Sequence, residues 1–234
     1  MKLNILSGGA AQSVVNALAG EFRAATGFEL AGTFGAVGAM REKLLAGAPA
    51  DLVILTKTLV AELAAGGQVQ NGSSADLGRV RTGVAVRAGD PLPDIASEGA
   101  LRSALLAAEG IFFPDPQKAT AGIHFARVLD ALGIHDEVAP RLKTYPNGAT
   151  AMRELAQAQG GRLVGCTQVT EIKNTPGVTL VGVLPRELEL ATVYCVGVCT
   201  AAAHPDAARR FAALLTGEHS RALRTQAGFE LGAA

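Results

Sequence analysis

The chain has 234 residues, 49% of them apolar and 18% charged, enough for a sizeable core and for two lobes. Its 21 basic residues balance 21 acidic ones, which argues against a nucleic-acid surface or a polybasic membrane anchor. Tryptophan is absent and aromatics make up 4%, so stacking platforms for bases or sugars are scarce. No apolar run is long enough to cross a bilayer, and no membrane insertion is expected.

The N-terminus, MKLNILSGGAA, enters a strand at Lys2–Leu6 with no signal-peptide apolar core. The expected location is cytoplasmic if this start is native, and periplasmic if a signal peptide has been removed. Ser7-Gly8-Gly9-Ala10 is a small-residue loop. It leads into a helix with Val14, Val15, Leu18 and Phe22 on one face, ending near Thr26-Gly27.

The stretch Gly32–Thr56, GTFGAVGAMREKLLAGAPADLVILT, comes next. Phe28, Leu30, Gly32 and Phe34 alternate at the strand period. Gly35-Ala36-Val37-Gly38 breaks that period, and Met40, Leu44 and Leu45 restart it at helical spacing. Gly47 to Asp51 stops the helix, and Leu52–Leu55 has the apolar character of a buried parallel strand. Thr58–Ala65 is a further helix. Strand, loop and helix thus alternate, which predicts a parallel sheet whose loops at Ser7, Gly35 and Thr56 emerge at its carboxyl edge, where such sheets bind ligands. A glycine loop feeding a helix N-terminus suits an anion; the same glycines also serve simply to make the turn.

In the second half, Thr82–Arg87 alternates as a strand and Ala88 to Pro93 is a turn cluster, with a lobe boundary near Gly83. Ser97 can cap a helix carrying Leu101, Leu105 and Leu106. Ile111 to Pro114 is a strand. DPQKATAG, Asp115–Gly122, is a second loop feeding a helix with Ile123, Ala126, Val128, Leu129 and Leu132. A short helix near His135–Leu142, the strand Lys143–Tyr145 and the helix Ala149–Gln159 follow. Leu163–Gln168, Val178–Val181 and Thr192–Val198 are strands, and Pro205–Thr216 and Glu218–Gln226 are closing helices. Cys195 and Cys199, four residues apart in one strand, are separated by roughly 13 Å, too far for a disulfide. With Cys166 they read as buried free thiols. His124, His135, His204 and His219 show no metal-ligand spacing, so neither metal nor cofactor is expected.

LNILSGGA, FGAVGAMREKLLAGAPADLVIL, GVAVRAGDPLPDI and PDPQKATAGIHFARVLDALGI together resemble the molybdate-binding-protein-like branch of the type II periplasmic binding proteins. The resemblance runs nearly end to end. It implies an α/β fold of two lobes, a mostly parallel sheet in each, joined by two crossing strands near Thr82–Arg87 and Ala191–Val198. The lobes would comprise residues 1–82 with 192–234, and 83–191, with a small anionic ligand in the cleft between them. LGRVRTGVAVRAGDPLPDI and VGCTQVTEIKNTPGVTLVGVLPRELELATVYCVGV are similar to the subgroup that includes aconitate isomerase. Two functions follow: binding of a small carboxylate or oxyanion without chemistry, or an isomerase shifting a proton and double bond in a small unsaturated polycarboxylate. An ABC permease becomes a partner only if the chain is exported.

The resemblance also implies the site. In the first lobe it comprises Ser7, Gly8, the backbone amides of Gly35, Ala36, Val37 and Gly38, and Thr56. In the second it comprises Lys118, Thr120, Ala121 and Gly122 before a helix, and Thr167 and Gln168 at a strand end. Lys118 is the loop's cation and a candidate base if burial lowers its pKa. His124, expected in the first turn of its helix, is the second candidate base. Ser7 and Thr56 also fit capping or turn roles, Lys118 also fits a solvated surface lysine, and His124 also fits a packing histidine. Arg81 and Arg87 flank the first crossing strand, and Arg87 reads as a solvated hinge residue. Asp51 reads as fixing the turn after Pro49. Molybdate binders carry a serine where Val37 stands and a tyrosine where Thr167-Gln168 stands. Molybdate itself is therefore expected to bind weakly or not at all.

Overall fold

The computed structural model describes residues 1–232. In chain order the elements are β1 (Lys2–Gly8), α1 (Gln12–Thr26), β2 (Glu29–Gly35), α2 (Val37–Leu45), β3 (Leu52–Thr56), α3 (Lys57–Ala65) and β4 (Ala75–Arg87). Next come α4 (Glu98–Ala107), β5 (Gly110–Pro114), α5 (Thr120–Ala131), α6 (His135–Val138), β6 (Leu142–Tyr145) and α7 (Gly148–Gln157). The chain continues with β7 (Leu163–Gln168), α8 (Val169–Lys173), β8 (Val178–Val183), β9 (Ala191–Val198), α9 (Pro205–Thr216) and α10 (Arg221–Ala227). It divides into two compact units, one of residues 1–80 with 192 onward, the other of Arg81–Ala191.

In the first unit β1 lies between β2 and β3, parallel to both, and β9 pairs antiparallel with β3. Ser7 stands opposite Phe34 on one side and Ile54 on the other. The three parallel strands therefore end together, at Gly8, Gly35 and Thr56. Helix α1 buries Val14, Val15, Leu18 and Phe22 and stops at Gly27, whose φ of 76° only glycine adopts without strain. Buried Asp51 accepts the amides of Asn4 at 2.7 Å and His204 at 2.8 Å. It thus ties β1 and the start of α9 to the turn before β3, the structural role expected of it. Arg224, also buried, joins α10 to β4 by donating to the Leu77 carbonyl at 2.6 Å.

In the second unit β5 lies between β6 and β7, parallel to both, while β4 runs antiparallel to β7 and β8. The sheets are thus mixed rather than mostly parallel. Parallel pairing holds among β1, β2 and β3, which helices connect, and among β5, β6 and β7 for the same reason. Strands β4 and β9, through which the chain passes between the units, take the opposite direction. β4 begins at Ala75, well before the expected Thr82, because Gly78 at φ 142° interrupts the alternation without ending the strand. The single turn α8 is too short to leave a periodic signal and was not expected.

Two apolar layers cover the second sheet. On one face Val84, Val164 and Cys166 pack with Phe125, Val128 and Leu129 of α5. On the other, Ala85, Phe112 and Leu163 pack with Met152 and Leu155 of α7. Each large side chain so buried contributes about 1.5–3 kcal/mol. Cys166, Cys195 and Cys199 are buried free thiols. Burial pushes the thiol of Cys195 up to about 11 and that of Cys199 to about 12, which leaves neither a nucleophile near neutral pH.

Candidate functional site

In the first unit the expected residues Ser7, Gly8, Gly35, Ala36, Val37, Gly38 and Thr56 all lie at the carboxyl edge of the sheet. Helix α2 begins there, at Val37. Its N-cap Ala36 provides no side-chain cap, so the first-turn amides of α2 have no capping oxygen of their own. Close packing fixes this edge: a Cβ on Gly8 would come within 2.8 Å of Val37 Cγ1 and 3.2 Å of Tyr194 Cε1. Tyr194, which stands opposite Thr56 on β9, is a buried residue of this edge that the sequence reading missed. Ser7 is fully buried, and its hydroxyl donates to the Gly8 carbonyl at 2.9 Å. Thr56 caps α3, its hydroxyl accepting the Leu59 amide at 3.3 Å. The adjacent Lys57 pairs with Asp76 at 2.7 Å, and that carboxylate raises the lysine's pKa through hydrogen bond and charge.

In the second unit the loop before α5 is organised by Asp115. Its Oδ1 accepts the amides of Gln117 at 2.7 Å and Lys118 at 3.0 Å, and its carbonyl accepts the amide of Ala119. Helix α5 starts at Thr120 behind Ala119, again without a side-chain cap. Gly122 lets this helix start sit directly on the end of β5, since a Cβ there would overlap the carbonyl oxygens of Pro114 and Asp115. Because β7 runs parallel to β5, Gln168 ends at the same edge.

The structure separates the expected pair Thr167 and Gln168. Successive strand residues face opposite sides. Gln168 follows Val164 and Cys166 onto the α5 face, whereas Thr167 follows Leu163 onto the α7 face. There the Thr167 hydroxyl donates to Glu171 Oε2 at 2.6 Å. Thr167 is therefore engaged in the interior, away from the start of α5. Glu171, which the sequence reading also missed, is buried at the N-terminus of α7. Burial pushes its carboxyl up, against the hydrogen bonds from Thr167 and from the Ala149 and Gln168 amides. A Cβ on Gly148 would overlap both Glu171 Oε2 and Thr167 Oγ1.

His124 lies in the second turn of α5, one turn later than expected, because the helix starts at Thr120. Its Nε2 bonds the Leu188 carbonyl at 2.8 Å. A carbonyl only accepts, so Nε2 carries the proton and Nδ1 is the basic nitrogen. Arg87 is not a solvated hinge residue. It forks onto Asp90 at 2.8 and 3.2 Å and donates to the carbonyls of Ala158 and Gly160, both at 2.7 Å. Arg81 pairs with Glu189 at 3.3 Å. Among the described residues no group of three or more His, Cys, Asp or Glu could hold a metal ion, and no helix is long and apolar enough to cross a membrane.

Residues 3–230 match the model of a family described as bacterial extracellular solute-binding protein. The chain belongs to that family. The solute-binding fold is also that of the periplasmic molybdate-binding protein of Azotobacter vinelandii, at a TM-score of 0.83 and 20% identity over 99% of this chain and 100% of that one. A sulfate-binding protein of Mycobacterium tuberculosis matches at a TM-score of 0.76 and 20% identity, over 98% of this chain and 86% of that one. At the sequence level this solute-binding protein is 30% identical to an aconitate isomerase of a Pseudomonas species over 216 residues, 88% of this chain and 79% of the relative.

Proposed function

We propose that this chain binds a small carboxylate or oxyanion at the backbone amides of an uncapped helix start. The observation that carries the reading is the recurrence of one device. Helices α2 and α5 both begin at the carboxyl edge of their sheet, both lack a side-chain cap, and both are seated by a glycine-dependent close approach, at Gly8 against Val37 of α2 and at Gly122 within α5. Uncapped first-turn amides at the positive end of a helix dipole favour an anion. The solute-binding family and its molybdate- and sulfate-binding structural relatives support the same ligand class.

A second reading rests on the identity to aconitate isomerase. In it the ligand is an unsaturated polycarboxylate, and Lys118 or the Nδ1 of His124 takes a proton from the substrate carbon and returns it at another. Proton NMR of the protein with cis- and trans-aconitate in deuterated water separates the two readings. Line broadening without exchange supports binding alone. Interconversion or deuterium uptake supports the isomerase. Unchanged spectra with aconitate and with other small carboxylates and oxyanions would refute both. A binding role in the periplasm, with an ABC permease as partner, would further require that the chain be exported.

A further inference from the structure

The second unit holds a set of polar atoms that the anion-binding amides leave unexplained. Gln168 is 2% exposed, and neither its Oε1 nor its Nε2 has a hydrogen-bond partner among the described residues. Thr82 is fully buried, and its Oγ1 is likewise unpartnered. The two stand directly opposite one another on the antiparallel strands β7 and β4. The Thr82 amide donates to Leu190 and its carbonyl accepts from Leu184. Its backbone is thus committed elsewhere, and the side chains of an opposed pair that exchanges no backbone bonds come close together. The next pair along, Val84 and Cys166, lies in the apolar layer under α5, so Thr82 and Gln168 share that face. They sit at its carboxyl end, where the uncapped start of α5 also lies.

A buried amide with both ends unsatisfied pays the full desolvation cost of each unpaired group, and such groups in native proteins call for a partner. The chemistry of that partner can be read from the donor set. The α5 amides only donate and suit a carboxylate. The Gln168 side chain both donates and accepts, and a hydroxyl answers both functions where an ionised carboxylate or a tetrahedral oxyanion answers only the N–H. Resting on the anion-binding reading above, we infer that the ligand is a hydroxycarboxylic acid. Its carboxylate lies on the start of α5 and its hydroxyl is held by the Gln168 amide and the Thr82 hydroxyl.

Calorimetry with matched pairs tests this: malate against succinate, and citrate or isocitrate against propane-1,2,3-tricarboxylate. The hydroxy acid of at least one pair is expected to bind at least about tenfold more tightly than its deoxy partner. That preference should collapse in Gln168→Met and shrink in Thr82→Val, while affinity for the deoxy acid stays within a few-fold. Thr82→Ser, which keeps the hydroxyl, should retain the preference and controls for a packing defect. Equal affinity within every pair, with carboxylates still bound, would overturn the inference while sparing the anion-binding reading, and would assign the polar atoms to buried water. Failure of every acid to bind would overturn the inference, and failure of sulfate and molybdate in the same titrations would overturn the anion-binding reading as well.

Discussion

The Thr167 hydroxyl donates to Glu171 Oε2 at 2.6 Å, and both residues are buried. This bond joins the end of β7 to α8, and the same carboxylate receives the Ala149 amide at the start of α7. An internal carboxylate thus occupies the helix start of α7, whereas the start of α5 has none.

The raised pKa of Glu171 makes stability depend on pH. An unfolded glutamate titrates near about 4.3, so between that value and the raised folded value the native state binds the extra proton. The contribution is complete below about pH 4 and is lost as pH rises through the folded value. Glu171→Gln, which cannot ionise, should therefore gain stability relative to the native chain as pH rises through this window, with the difference levelling off above it. Urea unfolding over a pH series measures the difference, and a constant offset would refute the assignment. Glu171→Ala should destabilise at every pH, because it leaves buried donors unpaired.

Gly122→Ala should cost about 1–3 kcal/mol and weaken anion binding, since the added carbon forces the start of α5 off the end of β5. Gly99→Ala, in α4 where a Cβ meets no atom within 4 Å, serves as the contrast and should stabilise by up to about 1 kcal/mol. Equal effects of the two changes in urea unfolding would show that the close approach at Gly122 is not the constraint.

Val37 has no hydroxyl to offer an oxyanion, and its Cγ1 sits against Gly8. Val37→Ser should raise affinity for molybdate or sulfate by roughly tenfold to a hundredfold, the value of one hydrogen bond to an ionised group. Calorimetry on the native chain should find molybdate bound weakly or not at all. Submicromolar molybdate affinity without the serine would show that backbone amides suffice.

Lys118 stands on the Asp115-organised loop just before the uncapped start of α5. Lys118→Ala should weaken carboxylate binding, whereas His124→Ala should spare it, because the Nε2 of His124 is held by the Leu188 carbonyl. If aconitate is isomerised, at least one of these changes should lower turnover by roughly a hundredfold. Unchanged affinity and turnover in both variants would remove the two residues from the site.

The sequence by itself determined the order of elements and the places where loops feed helices, because both depend on near neighbours. Alternation from Phe28 to Phe34, helical spacing in Val14 to Phe22 and the glycines at 35 and 38 are local signals, and the observed strands and helices follow them closely. The loops that lead into α2 and α5 were legible for the same reason, although α5 starts at Thr120, inside the stretch read as loop. Side-chain commitments were not, because they are made across the fold. The partner of His124 lies 64 residues on, and the carbonyls held by Arg87 lie 71 and 73 residues on. Neighbouring Thr167 and Gln168 read alike as a strand end. Only the packing of α5 on one face and α7 on the other sends the first to Glu171 and leaves the second unpartnered beside Thr82. That division is a property of the sheet, whose two faces meet different layers, and no local pattern in the chain encodes it.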